Sequence, residues 1–132
     1  MFNKSFSISQ TTLFYFSGMK EIFIVEDDQD IRELIELLLS DSYTVRSFPN
    51  AERFNTSIAR EKPDLILMDI MLPDGNGQEM CKMLAQNKET NEIPVILMSA
   101  HTEIVDETAC DFIAKPFDVD DLLFRIEKHI KA

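Results

Sequence analysis

Two short runs of apolar residues constrain the fold of this chain most strongly. Residues 22–25 (IFIV) and 65–68 (LILM) contain no polar side chain, and acidic residues follow each run at once. A strand that is apolar on both faces has to be buried on both faces, which is typical of a parallel sheet covered by helices. Segments with apolar residues at helical spacing lie between the apolar runs. The sequence therefore predicts an α/β fold in which strands and helices alternate.

The rest of the pattern completes a doubly wound, five-stranded parallel sheet. We expect the strands at residues 22–25, 43–48, 65–68, 93–98 and 110–114. We expect the helices at residues 31–39, 50–60, 78–87 and 118–130, and a loop at 69–77. In the third helix, the spacing predicts that Met80, Met83 and Leu84 face inward.

The length and net charge of the chain exclude several classes of protein. A chain of 132 residues fits one domain. Its net charge of −11 repels nucleic acid and anionic membranes, so we expect no direct contact with either. Its apolar runs are too short to cross a bilayer. Cys81 and Cys110 match no metal or redox spacing, so we expect both to be reduced and mostly buried in a cytoplasmic protein.

Residues 1–18 differ in composition from the rest of the chain. They contain five aromatic residues, one lysine and no acidic residue. Polar residues interrupt the apolar ones, so the continuous apolar stretch of a secretion signal is missing. We assign residues 1–18 to an N-terminal extension and residues 19–132 to the domain. Two interpretations stay open: translation starts at Met19, or the extension packs on the domain or on a partner.

Charged and polar residues follow four of the predicted strands. Glu26 and Asp27 follow the first strand, Asp69 the third, Ser99 the fourth and Lys115 the fifth. The carboxyl ends of parallel strands meet at one edge of the sheet, where ligands bind. Three carboxylates gathered there favour a divalent cation such as Mg²⁺. Taken alone, the first acidic cluster would also suit the start of a helix.

Four blocks of sequence, in order, make this chain similar to a known family. They are IFIVEDDQDIRELIELLL, PDLILMDIMLPDGNG, PVILMSA and DFIAKPF, and they cover most of residues 20–131. The chain resembles the receiver domain of two-component response regulators. The resemblance implies the flavodoxin-like receiver fold and a phosphoryl group carried on an aspartate.

The resemblance assigns the acceptor and the metal ligands. It implies that Asp69 is the phosphoacceptor. Glu26, Asp27 and Asp69 would hold Mg²⁺, and Met71 would contribute its backbone carbonyl.

The resemblance also assigns the residues that respond to phosphorylation. Ser99 and Lys115 would contact the phosphoryl oxygens, and Ser99 and Phe112 would form the switch. The peptide bond between Lys115 and Pro116 would be cis, as it is in the family.

One segment departs from the family. Only 15 residues separate Ser99 from Lys115, fewer than in family members, which form a fourth helix there. We therefore expect this fourth helix to be shortened or missing. In the family, that helix, the fifth strand and the last helix form a surface for dimerisation and output. A homodimer through this surface stays open here.

The resemblance implies a single-domain response regulator, since the chain ends just after the last predicted helix. A sensor histidine kinase or a histidine phosphotransfer protein would donate the phosphoryl group from a phosphohistidine, and the regulator would bind an unknown downstream protein. We expect a phosphoacceptor that assists its own phosphorylation and dephosphorylation, and not an enzyme. A kinase in particular is not expected, because a phosphate-cradling glycine loop is missing. The alternative is a degenerate receiver that acts as a constitutive docking module. A phosphatase of the haloacid dehalogenase type would need a second aspartate where Met71 stands.

Several other polar residues receive structural interpretations. We expect Asp28 and Asp30 to cap a helix and to face solvent. The residues Asp74, Gly75 and Gly77 are typical of turns. Neither His101 nor His129 has a ligand partner at useful spacing, so both are expected at the surface.

We expect residues 1–18 to be dispensable for phosphorylation. A chain that starts at Met19 should accept phosphoryl groups at an unchanged rate, because every predicted site residue follows it. The initial rate of labelling by a small phosphodonor and a thermal melt would test this. Unfolding or aggregation of the shortened chain would instead place the aromatic extension in the core.

Overall fold

The computed structural model describes residues 18–100 and 110–130, and seven strands and four helices lie within these ranges. The strands are β1 (Glu21–Val25), β2 (Thr44–Phe48), β3 (Leu65–Asp69), β4 (Met71–Leu72), β5 (Gly75–Asn76), β6 (Val95–Ser99) and β7 (Asp111–Ala114). The helices are α1 (Gln29–Leu39), α2 (Ala51–Ile58), α3 (Gly77–Gln86) and α4 (Val119–His129).

Five of the strands form one parallel sheet. The strand order is β2-β1-β3-β6-β7, so the chain begins inside the sheet and winds to both edges. Helices cover both faces, which confirms the predicted doubly wound fold. The order changes direction between β1 and β3, and the carboxyl ends of these two strands border the crevice where such sheets bind ligands.

Side chains that alternate along the central strands build two separate cores. Phe23 and Val25 of β1 face one side, and Ile22 and Ile24 face the other. The first core lies on the side of α2 and α3 and contains Phe23, Val25, Phe48, Phe54, Ile66, Met68, Cys81 and Leu97, with Cys110 and Phe112 packed against it. The second core lies on the side of α1 and α4 and contains Ile22, Ile24, Ile35, Leu39, Leu65, Leu67, Ile96, Met98, Leu122 and Ile126.

Helix starts follow the capping rules. The Asp28 carboxylate accepts a hydrogen bond from the Ile31 amide at 3.1 Å, which confirms Asp28 as the cap of α1. Asp30 is exposed, as expected. Asp74 does more than form a turn: its two carboxylate oxygens accept from the Ala51 and Glu52 amides at the start of α2. The loop that follows β3 is therefore tied to the neighbouring helix.

Two local predictions on this side of the sheet were wrong. The segment 69–77 was expected to be a loop, but Met71–Leu72 and Gly75–Asn76 pair as a short antiparallel hairpin. Met83 was expected to face inward, yet 69% of its surface is exposed. Cys81 is instead the buried residue in the middle of α3. The apolar spacing of this helix fits an orientation with Met83 inward and one with Cys81 inward. In the structure, Cys81 is the residue that packs into the first core.

The prediction that both cysteines are reduced was also wrong. The structure pairs Cys81 of α3 with Cys110, which immediately precedes β7, in a disulfide. Their Cα atoms are 7.0 Å apart, at the upper limit of what a disulfide spans. The two residues are 29 positions apart in sequence and meet because both pack into the first core.

His129 has a partner that its sequence context does not reveal. Its Nε2 atom lies 2.8 Å from an Asp111 carboxylate oxygen, and Arg125 donates to the other oxygen at 2.8 Å. Burial raises the pKa of Asp111, but the hydrogen bonds from His129 and the Phe112 amide and the charge of Arg125 outweigh it, so the pKa lies below its usual value. His129 lies near the surface, as expected, with 30% of its side chain exposed.

Two predictions concern parts of the chain outside the described ranges. The shortened fourth helix and His101 fall in residues 101–109, and the extension falls in residues 1–17 apart from Gly18. Within the described ranges, no helix is long and apolar enough to cross a membrane.

Gly77 is the residue that allows α3 to start directly beneath β3. Its amide donates to the Ile70 carbonyl at 2.7 Å, so the two backbones touch. A Cβ atom at this position would lie 2.5 Å from the Asp69 carbonyl oxygen and 2.8 Å from the Ile70 Cα. Only glycine fits this approach, and the approach fixes the backbone of Asp69.

We expect the Gly77→Ala variant to lower the free energy of unfolding by about 2–3 kcal/mol, because overpacking against backbone atoms forces a backbone shift. Gly75→Ala is the matched control, since its Cβ would meet side-chain atoms at 3.1 and 3.3 Å. Urea unfolding of both variants measures the difference. Equal stabilities of the two variants would contradict the role given to Gly77.

Candidate functional site

Three carboxylates meet at the carboxyl ends of β1 and β3. One oxygen each from Glu26, Asp27 and Asp69 can be chosen so that all three atoms lie within 4.8 Å of one another. Glu26 and Asp69 are buried, whereas Asp27 is exposed. The structure therefore brings together the acidic residues that the sequence analysis singled out, in a cluster that is open to solvent on the Asp27 side.

Lys115 reaches this cluster from the end of β7. Its ammonium nitrogen lies 2.6 Å from Glu26 Oε1 and 2.8 Å from Asp69 Oδ2. The side chain of Lys115 is only 15% exposed. A cation between two buried carboxylates offsets the repulsion that would otherwise make their burial unfavourable.

The pKa values in this group follow from burial and from Lys115. Burial raises the pKa of the Glu26 carboxyl above its usual value, and the hydrogen bond from Lys115 offsets only part of this effect. Burial alone would lower the pKa of Lys115, but the hydrogen bonds to Asp69 and Glu26 outweigh it and raise the pKa. Lys115 therefore stays protonated and cationic at neutral pH.

Backbone amides hold the remaining carboxylate oxygens. The Asp28 amide donates to Glu26 Oε2 at 3.0 Å, and the Met71 amide donates to Asp69 Oδ1 at 3.0 Å. Arg32 of α1 donates to the Glu26 carbonyl at 2.8 Å and thereby fixes the turn after β1. The sequence analysis did not single out Arg32, although its position in the first turns of α1 places it near the preceding loop.

The predicted switch residues lie on β6, which is next to β3, and on β7, the edge strand beside β6. Ser99 ends β6 and is fully buried, and Ser99 pairs with Ala114 across to β7. The Lys115 amide donates to the Ser99 carbonyl at 2.8 Å. Phe112 is partly buried and packs against the first core. The Lys115–Pro116 peptide bond is cis, as the resemblance implies.

The donor set suits a hard divalent cation. All three candidate ligands are carboxylates, which Mg²⁺ prefers. Three carboxylates and one ammonium leave two negative charges, and one divalent cation would balance them. Met71 is exposed at the same edge, and its amide already contacts Asp69.

Comparison with known protein families identifies the class of protein. The response regulator receiver domain matches residues 22–127, and the chain belongs to this family. Response regulator ArlR of Staphylococcus epidermidis is 40% identical over 116 residues, which are 82% of this chain and 51% of that protein. Transcriptional regulatory protein GltR of Pseudomonas aeruginosa is 33% identical over 115 residues, 82% of this chain and 48% of that protein. The chain thus spans about half the length of these curated relatives.

Solved structures agree on the fold. Response regulator TrrA of Thermotoga maritima, in complex with Mg²⁺ and BeF, superposes with a TM-score of 0.76 at 26% identity and covers 85% of this chain and 100% of that one. The receiver domain of a sensor histidine kinase from Pseudomonas aeruginosa, with a magnesium ion in its active-site cleft, also gives 0.76 at 26% identity. That match covers 87% of this chain and 100% of the other. The expected flavodoxin-like receiver fold is confirmed.

We expect Lys115→Ala to destabilise the domain without metal by about 3–5 kcal/mol, because it leaves two buried carboxylates without a cation. Added Mg²⁺ should then stabilise the variant more than the unaltered protein, since it would replace the lost charge. Urea unfolding with and without Mg²⁺ measures both effects. Lys62→Ala is the control, because Lys62 pairs at 3.8 Å with the exposed Glu89. Complete loss of Mg²⁺ binding in Lys115→Ala would mean that the lysine has another role.

Proposed function

We propose that this receiver domain accepts a phosphoryl group on Asp69 and signals through protein contacts. The observation that carries the proposal is the position of Asp69, buried at the end of β3 with one oxygen on Lys115 and the other on the Met71 amide. Both contacts orient the carboxylate, so an incoming phosphorus atom meets it in one geometry. The donor would be a phosphohistidine of a sensor histidine kinase or a histidine phosphotransfer protein.

The transfer needs positioning and charge balance rather than acid–base chemistry. An Asp69 oxygen forms a bond to phosphorus while the bond from phosphorus to the donor imidazole nitrogen breaks, and the imidazole leaves with the electron pair. The Lys115 ammonium lies within hydrogen-bond distance of Asp69 and would move to the phosphoryl oxygens. The phosphoryl group would therefore replace Asp69 as the main partner of Lys115.

Glu26, Asp27 and Asp69, with the Met71 carbonyl, would hold Mg²⁺. The ion supplies positive charge against the phosphoryl oxygens when it is bound. Glu26 is kept in place by the Asp28 amide and by Lys115, so it can hold the ion without rearrangement of β1. Asp27, on the open side, is the ligand most accessible from solvent.

Ser99 and Phe112 would convert phosphorylation into a change of surface. Lys115 is joined to the Ser99 carbonyl, so a shift of Lys115 towards the phosphoryl group also affects the end of β6. Phe112 lies three residues before Lys115 on β7, against the first core. A change at Phe112 would present a different surface to a downstream protein. In this scheme the domain assists its own phosphorylation and dephosphorylation in the cytoplasm and converts no other substrate.

Asp69→Asn should abolish phosphorylation, because an amide cannot act as the nucleophile. Acetyl phosphate with Mg²⁺ and mass spectrometry of the intact protein provide the measurement. Asp30→Asn is the matched control, since Asp30 is exposed on α1 and is not one of the three clustered carboxylates. Chelation of Mg²⁺ with EDTA should lower the rate of labelling of the unaltered protein at least 100-fold, about 3 kcal/mol of barrier.

Two results would contradict the proposal. Labelling that persists in Asp69→Asn would place the phosphoryl group elsewhere. An unaltered protein that binds Mg²⁺ but takes no label from acetyl phosphate or from a phosphohistidine donor would favour the constitutive docking module instead.

A further inference from the structure

The Cys81–Cys110 disulfide joins two elements that border the proposed switch. Cys81 lies in α3 with 2% of its surface exposed, and Cys110 immediately precedes β7 and is partly buried. Both pack into the first core together with Phe112. Because side chains alternate along a strand, Cys110 and Phe112 lie on the same face of the sheet. The disulfide is therefore next to the residue that would change position on phosphorylation.

The disulfide also closes a continuous chain of contacts around Asp69. On one side, Gly77 at the start of α3 donates to Ile70, directly after Asp69. On the other side, β7 leads to Lys115, which contacts Asp69 at 2.8 Å. A bond between α3 and the start of β7 links these two supports covalently. The disulfide then limits how far β7 can move relative to α3, because the distance between the two Cα atoms of a disulfide varies little.

We propose that Cys81 and Cys110 form a reversible disulfide that restrains Phe112 and β7, so that thiol oxidation weakens the response of the Asp69 site to a phosphoryl group. The coupling to Asp69 rests on the proposed function, whereas the disulfide itself does not. Reduction leaves two thiols in the first core and removes the covalent restraint. Phe112 can then change its packing without moving α3.

Oxidation requires a partner, and a low-molecular-weight disulfide such as oxidised glutathione serves. The Cys110 thiolate, the more accessible of the two, attacks one sulfur of the small disulfide and releases one thiol. The Cys81 thiolate then attacks the Cys110 sulfur of the mixed disulfide and releases the second thiol. The protein loses two protons and two electrons, and the small disulfide is reduced to two thiols. An excess of small thiol reverses both steps.

The first experiment tests the disulfide alone. The full chain is equilibrated with oxidised or reduced glutathione, denatured, and its free thiols are counted, with peptide mapping of the linked cysteines. We expect no free thiol and one Cys81–Cys110 peptide pair after oxidation, and two thiols after reduction. Glutathione attached separately to both cysteines, or disulfide-linked dimers, would overturn the proposal.

The second experiment tests the coupling with beryllofluoride, which imitates a phosphoryl group, in the presence of Mg²⁺. We expect the oxidised protein to bind beryllofluoride about 5-fold or more weakly than the reduced protein, a usual size for coupled sites. Cys110→Ser should bind equally under both conditions and match the reduced protein. Cys81→Ser, at a more buried position, serves as a second variant. Equal affinities of the oxidised and reduced unaltered protein, or tighter binding by the oxidised form, would overturn the coupling.

Failure of the proposed function gives a different result. If Asp69 accepts no phosphoryl group, beryllofluoride will not bind in either redox state, but the thiol count is unaffected. Hydrogen exchange of residues 110–114 then still tests the restraint, because their amides should exchange faster after reduction in the unaltered protein and not in Cys110→Ser. Unchanged exchange on reduction would overturn the restraint.

Discussion

The ammonium of Lys115 between Glu26 and Asp69 is the interaction on which the site depends. Each of these residues comes from the end of a different strand of the sheet. Two buried carboxylates so close together would repel each other, and the lysine turns that repulsion into attraction. The same contact ties the end of β7, across β6, to the ends of β1 and β3. The same ion pairs therefore balance the charge of the site and fix the positions of the strand ends.

The backbone around Asp69 adds a second constraint. The Met71 amide binds one carboxylate oxygen, and Gly77 packs against the carbonyl of the same residue. Asp74 extends this loop to the start of α2 through two amide hydrogen bonds. Asp69 is thus fixed from several directions, as its proposed role as a weak nucleophile requires. Among the three carboxylates, Asp27 is the exposed one, so the site is open on its side.

The strands and the acidic site were predictable because their signals are local. The run of apolar residues before Asp69 forces burial on both faces, and the fold then brings the strand ends together. Lys115 was predicted at this edge as a contact for phosphoryl oxygens. Its direct pairing with Glu26 and Asp69 was not predictable, because strand order does not give the distances between side chains. The disulfide joins residues 29 positions apart, and nothing in the spacing of Cys81 and Cys110 reveals that both enter the first core. The outward position of Met83 was missed because helical spacing shows which residues share a face of the helix, but not how that face is turned towards the core.

The division of the interior by the sheet has a consequence for recognition. Phe112 and the disulfide belong to the first core, whereas α1 and α4 bury their apolar residues in the second core. Among the described residues, no buried side chain belongs to both cores. A rearrangement at Phe112 would therefore alter the surface on one side and leave the other unchanged. A protein that binds over α1 would recognise the molecule whatever its state, and a protein that binds near β7 would recognise the state itself.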